Sequence, residues 1–398
     1  MAGRGRGSWV LGICVALLVG CGGPSAPDAA PGDVRRLLDR RADAVLDRDA
    51  KAYRATGRGA EAAEVYDNLR EVPLDSWQYR LTAFERDGSR ATATADLRYR
   101  IKGYDSEPLT TSRALTLRER DGRWYVASER PAKKATQQLW DQGPVTSVRG
   151  AHSLVLGIGR GERDEETLRG YADLADRAVP LVSGAWPGKW PQRVVVLVPK
   201  SLDGMAGLLG APASGYQGIA AVTTGEAGGS GKAPADRVIL NPEAYGVLGD
   251  FGKQVVLTHE TTHVATRAHT SPATPLWLSE GFADWVGYRG TGRTAAQAAP
   301  ELRRAVQQEQ LPGALPEDDA FGFSGDAGKL AQAYEGSWLA CRMIAEQWGD
   351  AELTGFYEAV GAHKKRPGAV EDALSDVLDI TPEEFTARWR TYLRAELG

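Results

Sequence analysis

The chain has 398 residues, and its 48 Lys and Arg against 52 Asp and Glu give a formal net charge of −4. That balance argues against a nucleic-acid-binding protein, which usually carries a strong excess of basic residues. Apolar residues make up 42% and charged residues 25%, as in ordinary soluble globular proteins, so disordered and fibrous classes are disfavoured. Three cysteines cannot build a disulfide framework.

The N-terminus predicts a lipoprotein signal peptide over residues 1–20. Two arginines precede an apolar run over residues 9–19, which is too short to span a bilayer. The run ends in Leu18-Val19-Gly20-Cys21 and resembles the bacterial lipobox, in which the cysteine becomes the lipidated first residue. We expect Cys21 to carry acyl chains such as palmitate, which would place the protein outside the cytoplasm and anchor it to the cell membrane. An ordinary signal peptide is the alternative.

The lipidated cysteine and a flexible tether, residues 21–32, precede a predicted α+β domain over residues 33–143. The tether is rich in proline and small residues, which cannot build a core. Apolar residues at a period of 3.6 predict a helix over 33–56, and alternation predicts four antiparallel strands near 77–84, 91–101, 109–118 and 124–127. Asp87-Gly88 and Asp121-Gly122 are hairpin turn signals.

This domain resembles the nuclear transport factor 2-like cone. The resemblance rests on the helical phrase Ala44-Val45-Leu46-Asp47-Arg48-Asp49-Ala50 and on Asp-Gly-Arg-Trp-Tyr-Val at residues 121–126. Such cones can hold ligands or catalytic residues. Because residues 33–151 contain neither His nor Cys, a spacer or docking role is favoured.

The candidate catalytic residues are predicted to lie in a helix over residues 251–267, with Asp250 as its N-cap. It contains His259-Glu260-Thr261-Thr262-His263. Histidines four residues apart share one face of a helix, so both imidazoles can bind one divalent metal while Glu260 serves as general base. The alternative is a pair of solvent-facing histidines on a core helix.

A second helical pattern supplies two acids that fit the same site. Sixteen residues separate His263 from Glu280, and Asp284 follows Glu280 at helical spacing. Glu280 would complete a three-ligand site with one open position, as a catalytic zinc requires. Asp284 can accept the outer N–H of a ligating histidine and fix its tautomer. Taken singly, Glu280 could be a capping residue and Asp284 part of a solvated face.

Together these residues resemble the gluzincins, zinc metallopeptidases of the thermolysin and aminopeptidase-N type in the peptidase MA superfamily. Trp277-Leu278-Ser279-Glu280-Gly281-Phe282-Ala283 is similar to the aminopeptidase-N-like phrase around its glutamate ligand, although the preceding connector is shorter here. The resemblance implies that His259, His263 and Glu280 bind one zinc per chain, with Glu260 as base and proton shuttle. It places Asp284 behind His259.

A third segment, Ala333-Tyr334-Glu335-Gly336, is similar to the aminopeptidase-N-like Tyr-x-Lys-Gly-Ala segment, without its lysine. The resemblance implies that the Tyr334 hydroxyl stabilises the oxyanion, whereas a tyrosine packed only for its area is the alternative.

Other elements complete a predicted catalytic domain over residues 150–398. Residues 192–199 predict a buried strand. Gluzincins place an edge strand over the zinc helix, and either 237–241 or 218–223 is the candidate. Thr381-Pro382 predicts the start of a C-terminal helix that packs on this domain, and Cys341 is expected to be a small core residue.

The sequence thus predicts an α+β protein, with a helix-plus-antiparallel-sheet cone followed by a mainly helical catalytic domain with a small mixed sheet. The predicted function is a membrane-anchored zinc metallopeptidase acting on a peptide or protein substrate, with no nucleic-acid partner. Two alternatives remain: an inactive ligand- or partner-binding envelope lipoprotein, and a structural protein that the metal only stabilises. A structural zinc is normally closed by four protein ligands, and the sequence offers three.

Overall fold

The computed structural model describes residues 29–224, 236–323 and 325–398. The predicted signal peptide, Cys21 and most of the tether lie outside the described residues. Among the residues described, no helix combines the length and the apolar character needed to cross a bilayer.

The N-terminal part consists of three helices followed by a four-stranded antiparallel meander in the order β1-β2-β3-β4. Its elements are α1 (Ala30–Leu46), α2 (Ala50–Ala55), α3 (Ala60–Leu69), β1 (Leu74–Asp87), β2 (Arg90–Ile101), β3 (Leu109–Arg120) and β4 (Arg123–Pro131). Both predicted hairpin turns are confirmed. Asp121 and Gly122, between β3 and β4, have φ values of 52° and 70°, the positive pair that a type I′ turn requires.

The prediction of one helix over residues 33–56 is wrong, because the helix is interrupted between α1 and α2. Arg48 adopts a left-handed φ of 56°, which ends the first helix. Asp49 then caps α2, since its side chain accepts hydrogen bonds of 2.9 Å from the backbone N–H groups of Lys51 and Ala52.

The second sheet has five strands in the order β5-β6-β7-β9-β8. They are β5 (Val145–Arg149), β6 (Ser153–Ile158), β7 (Val194–Val198), β8 (Ala221–Thr223) and β9 (Val238–Leu240). The central pairs β6–β7 and β7–β9 are parallel, and the outer pairs β5–β6 and β8–β9 are antiparallel. Of the two candidates for the edge strand, β8 occupies the edge, whereas residues 237–241 contribute the interior strand β9.

The remainder of the C-terminal part is helical, which confirms the predicted fold class. Its helices are α4 (Glu162–Ala185), α5 (Leu202–Leu209), α6 (Pro242–Gly246), α7 (Asp250–Thr266), α8 (Leu276–Tyr288), α9 (Ala295–Ala298), α10 (Pro300–Gln307), α11 (Ala327–Gln347), α12 (Asp350–Ala362), α13 (Ala369–Leu378) and α14 (Pro382–Leu397). Thr381 caps α14 as predicted. Trp389 of α14 donates a 3.1 Å hydrogen bond from Nε1 to the Gly336 carbonyl of α11, and Cys341 is buried.

The two parts share one apolar cluster. It joins Trp77 and Trp140 of the N-terminal part to Leu154, Val195 and Ile239 of the five-stranded sheet. A buried ion pair reinforces this junction, with Arg237 Nη2 2.8 Å from the Asp105 carboxylate. The predicted boundary between residues 143 and 150 remains a prediction.

Candidate metal centre

The helix α7 presents both motif histidines to one point. His259 and His263 lie one turn apart, and their Nε2 atoms are 3.0 Å from each other. The helix begins one residue earlier than a cap at Asp250 would allow, because Gly249 is the N-cap and Asp250 is the first helical residue. The earlier start of the helix leaves His259 and His263 one turn apart on the same face.

The helix α8 lies between α7 and α11 because two glycines permit close contact. A Cβ at Gly281 would lie 2.3 Å from the Ser337 carbonyl oxygen of α11. A Cβ at Gly287 would lie 3.3 Å from the Val255 carbonyl oxygen of α7. This packing brings the carboxylate of Glu280, one residue before the first glycine, against the two histidines.

The three predicted ligand atoms form a triangle that fits a metal ion. Glu280 Oε2 lies 3.2 Å from His259 Nε2 and 3.6 Å from His263 Nε2, and the two nitrogens are 3.0 Å apart. A tetrahedral zinc ion with bonds of about 2.1 Å holds its ligand atoms about 3.4 Å apart. No other group of three metal-ligating side chains is found within residues 29–224, 236–323 and 325–398.

Asp284 orients His259. Its Oδ1 lies 2.8 Å from Nδ1 of the histidine, on the side of the ring away from Glu280. In a neutral ring this bond places the proton on Nδ1 and directs the Nε2 lone pair toward Glu280. Burial would lower the pKa of His259, but the carboxylates of Asp284 and Glu280 outweigh it and raise that pKa well above its usual value. The site therefore attracts a cation, either a proton or a metal ion.

The carboxylate of Glu260 is buried beside the triangle, where α7 meets the edge strand β8. Its Oε2 accepts a 2.7 Å hydrogen bond from the hydroxyl of Thr223, the last residue of β8. The same hydroxyl lies 3.0 Å from the backbone carbonyl oxygen of Glu260. The predicted base is thus held between the helix that carries the two histidines and the sheet.

Tyr334 reaches the same region from α11. Its ring centroid lies 6.4 Å from that of His259 and 5.3 Å from that of Phe321, so the tyrosine is half-buried against the site. The carboxylate of Glu335, the next residue in the chain, instead accepts hydrogen bonds from the backbone N–H groups of Glu301 and Leu302 at the start of α10.

A cavity of about 510 Å³ opens over the triangle. His259, Glu260, Glu280, Asp284 and Tyr334 all line it. The consecutive residues 218–222, which include part of β8, form one wall. Most of the remaining wall is apolar or aromatic, from Tyr216, Val255, Val256, Leu276, Tyr288, Phe321 and Phe323.

Sequence reasoning did not single out Thr223 or the aromatic residues near Phe321. Thr223 lay within a predicted strand, but only the three-dimensional contact between β8 and α7 reveals that its hydroxyl faces Glu260. Phe321 follows a segment without a periodic pattern, so no sequence signal placed its side chain in the cavity.

Comparison with known proteins gives distant structural similarities. An M1 zinc metallopeptidase from Deinococcus radiodurans is 17% identical, with 78% of this chain and 62% of that chain covered and a TM-score of 0.33. This chain therefore spans less than two thirds of the length of that peptidase. A protein of unknown function from Mycobacterium tuberculosis is 16% identical, with 28% of this chain and 75% of that chain covered and a TM-score of 0.23.

A third structure is a SEC-C motif containing protein from Rhodopseudomonas palustris, 20% identical, with 23% of this chain and 72% of that chain covered and a TM-score of 0.20. No protein-family model matches the chain, and no curated protein sequence gives a significant match.

Proposed function

We propose that this chain is a zinc metallopeptidase that hydrolyses peptide bonds. The observation that carries the proposal is the spacing of His259 Nε2, His263 Nε2 and Glu280 Oε2, which lie 3.0 to 3.6 Å apart at the base of a cavity. Three protein ligands leave a fourth position for solvent or substrate, which distinguishes a catalytic site from a closed structural one.

The residues around the triangle have separate roles. His259, His263 and Glu280 would hold the zinc, and Asp284 would keep Nε2 of His259 available as a ligand. When bound, zinc supplies Lewis-acid chemistry that acidifies water and polarises a carbonyl group. Glu260 accepts the proton of the attacking water on its carboxylate and passes it to the nitrogen of the leaving amine. Tyr334 would donate a hydrogen bond from its hydroxyl to the developing oxyanion.

The cavity suggests the class of substrate. One edge of β8 is paired with β9, and residues 218–222 line the cavity, so an extended peptide can add to that wall as a further strand. The apolar and aromatic lining favours apolar substrate side chains. Asp318 also lines the cavity, but its carboxylate is engaged by the Arg366 guanidinium and by the backbone N–H of Leu276.

We propose that the enzyme acts outside the cytoplasm and is held at the membrane by lipidated Cys21. The support is the lipobox-like sequence Leu18-Val19-Gly20-Cys21. Replacing Cys21 by Ser should move the protein from the membrane fraction to the soluble fraction and remove the acyl mass from its N-terminal peptide. Unchanged membrane association of Cys21→Ser would contradict the anchor but not the peptidase.

The test of the activity is Glu260→Gln, compared with the wild type on a broad peptide library. Since the amide cannot accept the proton of water, kcat should fall by about 10² to 10⁴-fold while one zinc per chain is retained. Glu166→Gln, which removes a charge from the exposed face of α4, is the matched control and should keep full activity. A zinc-loaded wild type that cleaves no peptide would refute the proposed function.

A further inference from the structure

The hydroxyl of Thr223 joins the edge strand to the predicted base. The side chain is fully buried, and its Oγ1 lies 2.7 Å from Glu260 Oε2 and 3.0 Å from the Glu260 carbonyl oxygen. Its neighbours on β8, Ala221 and Val222, are apolar, and valine would suit a buried strand equally well. A buried hydroxyl is costly unless it is hydrogen-bonded, and two contacts of this hydroxyl are to the same glutamate.

We propose that Thr223 is a positioning residue, whose hydroxyl fixes the carboxylate of Glu260 in the orientation that proton transfer requires. The inference rests on the proposed peptidase function and extends it to a residue outside the His-Glu-x-x-His motif. A glutamate has several rotatable bonds, so an unsupported carboxylate can swing away from the point where water is deprotonated. A general base must stay within hydrogen-bond reach of the proton it abstracts, and small misplacements are costly to the rate.

The position of Thr223 also connects substrate binding to the base. Thr223 pairs with Val238 of β9, and the residues immediately before it line the cavity wall. A peptide that adds to this wall would therefore restrict the motion of β8, the strand whose Thr223 hydroxyl contacts Glu260. Because the Thr223 hydroxyl contacts Glu260, and Thr223 itself does not line the cavity, loss of the hydroxyl should lower kcat and leave KM little changed.

Three variants test the role of the hydroxyl. Thr223→Val keeps the shape of the side chain and removes the hydroxyl, so kcat should fall by roughly 10 to 100-fold with KM little changed. Thr223→Ser keeps the hydroxyl and should restore kcat to within about threefold of the wild type. Thr354→Val removes another buried hydroxyl, bonded to the Asp350 carbonyl in α12, and should leave kcat unchanged.

A combined variant asks whether Thr223 acts through Glu260. In a Glu260→Gln background, Thr223→Val should produce little further loss of kcat, because the group it positions no longer accepts a proton. An equal loss in both backgrounds would overturn the proposal. So would a parallel loss of zinc affinity in Thr223→Val, measured by chelator competition, because Thr223 would then support the metal centre itself.

One readout does not depend on hydrolysis. In a crystal structure of zinc-loaded Thr223→Val, the Glu260 carboxylate should leave its wild-type orientation or divide between two conformers. A single unchanged conformer would overturn the positioning role, even if no peptide substrate had been found. A wild type that cleaves nothing would instead overturn the peptidase function, so the two failures are distinguishable.

Discussion

We propose that Asp284 determines which nitrogen of His259 faces the candidate metal centre. Its carboxylate lies 2.8 Å from Nδ1, so the neutral ring keeps a lone pair on Nε2. In Asp284→Asn, the amide has the same shape but no charge with which to hold that tautomer. We expect zinc affinity to fall by about 10 to 100-fold, measured by competition with a chelator.

The matched control for this change is Asp173→Asn, on an exposed position of α4, which should bind zinc as the wild type does. Equal affinities of Asp284→Asn and the wild type would show that Asp284 does not orient the ligand.

Glu335 gives the protein a stability that depends on pH. Burial, which outweighs two hydrogen bonds from backbone N–H groups, raises the pKa of Glu335 from 4.5 to about 7. The folded state therefore binds more protons than the unfolded state between these values, and the free energy of unfolding should fall as pH rises through this window.

Glu335→Gln keeps an oxygen that accepts the N–H bonds of α10 but cannot ionise. Urea unfolding between pH 5 and about pH 8 should therefore show a flatter dependence for the variant than for the wild type, with the variant relatively more stable at the alkaline end. Identical slopes for the two proteins would contradict the assignment.

At the scale of elements, Gly281 sets the distance between α8 and α11. Because a Cβ there would lie 2.3 Å from a backbone oxygen, Gly281→Ala should force the helices apart and lower the melting temperature. At Gly170, within α4, a Cβ would meet no atom within 4 Å apart from the chain neighbours and the backbone of its own helix, so Gly170→Ala should stabilise the protein by roughly 0.5–1 kcal/mol. Calorimetry on both variants checks the opposite signs.

The elements near the site were predictable where a local pattern encodes them. The spacing of His259 and His263 predicts a shared helical face, and the positions of Glu280 and Asp284 fit the neighbouring helix that the structure contains. The apolar period continues across the break between α1 and α2, so periodicity alone does not predict this break. The left-handed Arg48 ends α1, and Asp49 then caps the start of α2.

The position of β9 and the role of Thr223 were not predictable, because both depend on contacts between distant segments. Residues 237–241 and 218–223 are both short apolar runs, and sequence alone does not tell an interior strand from an edge strand. Only the strand order places β8 outermost, and only the packing of α7 against it directs the Thr223 hydroxyl to Glu260.

At the scale of the whole molecule, the N-terminal and C-terminal parts share an apolar cluster and a buried ion pair. We therefore expect them to unfold in one transition, with circular dichroism and tryptophan fluorescence giving coincident melting curves. Asp105→Asn removes the carboxylate that pairs with the buried Arg237 and should destabilise both parts together, by roughly 3–5 kcal/mol. Two separate transitions in the wild type would contradict this coupling.

We expect the side chains of His259, His263 and Glu280 to bind one zinc ion. Anomalous diffraction at the zinc edge, from crystals of the zinc-loaded protein, tests it most directly. We predict one strong peak about 2.0–2.2 Å from the two Nε2 atoms and the Glu280 carboxylate, with no fourth protein ligand. A peak elsewhere, no peak at this site, or a fourth side chain completing the coordination would show that these residues do not form a catalytic zinc site.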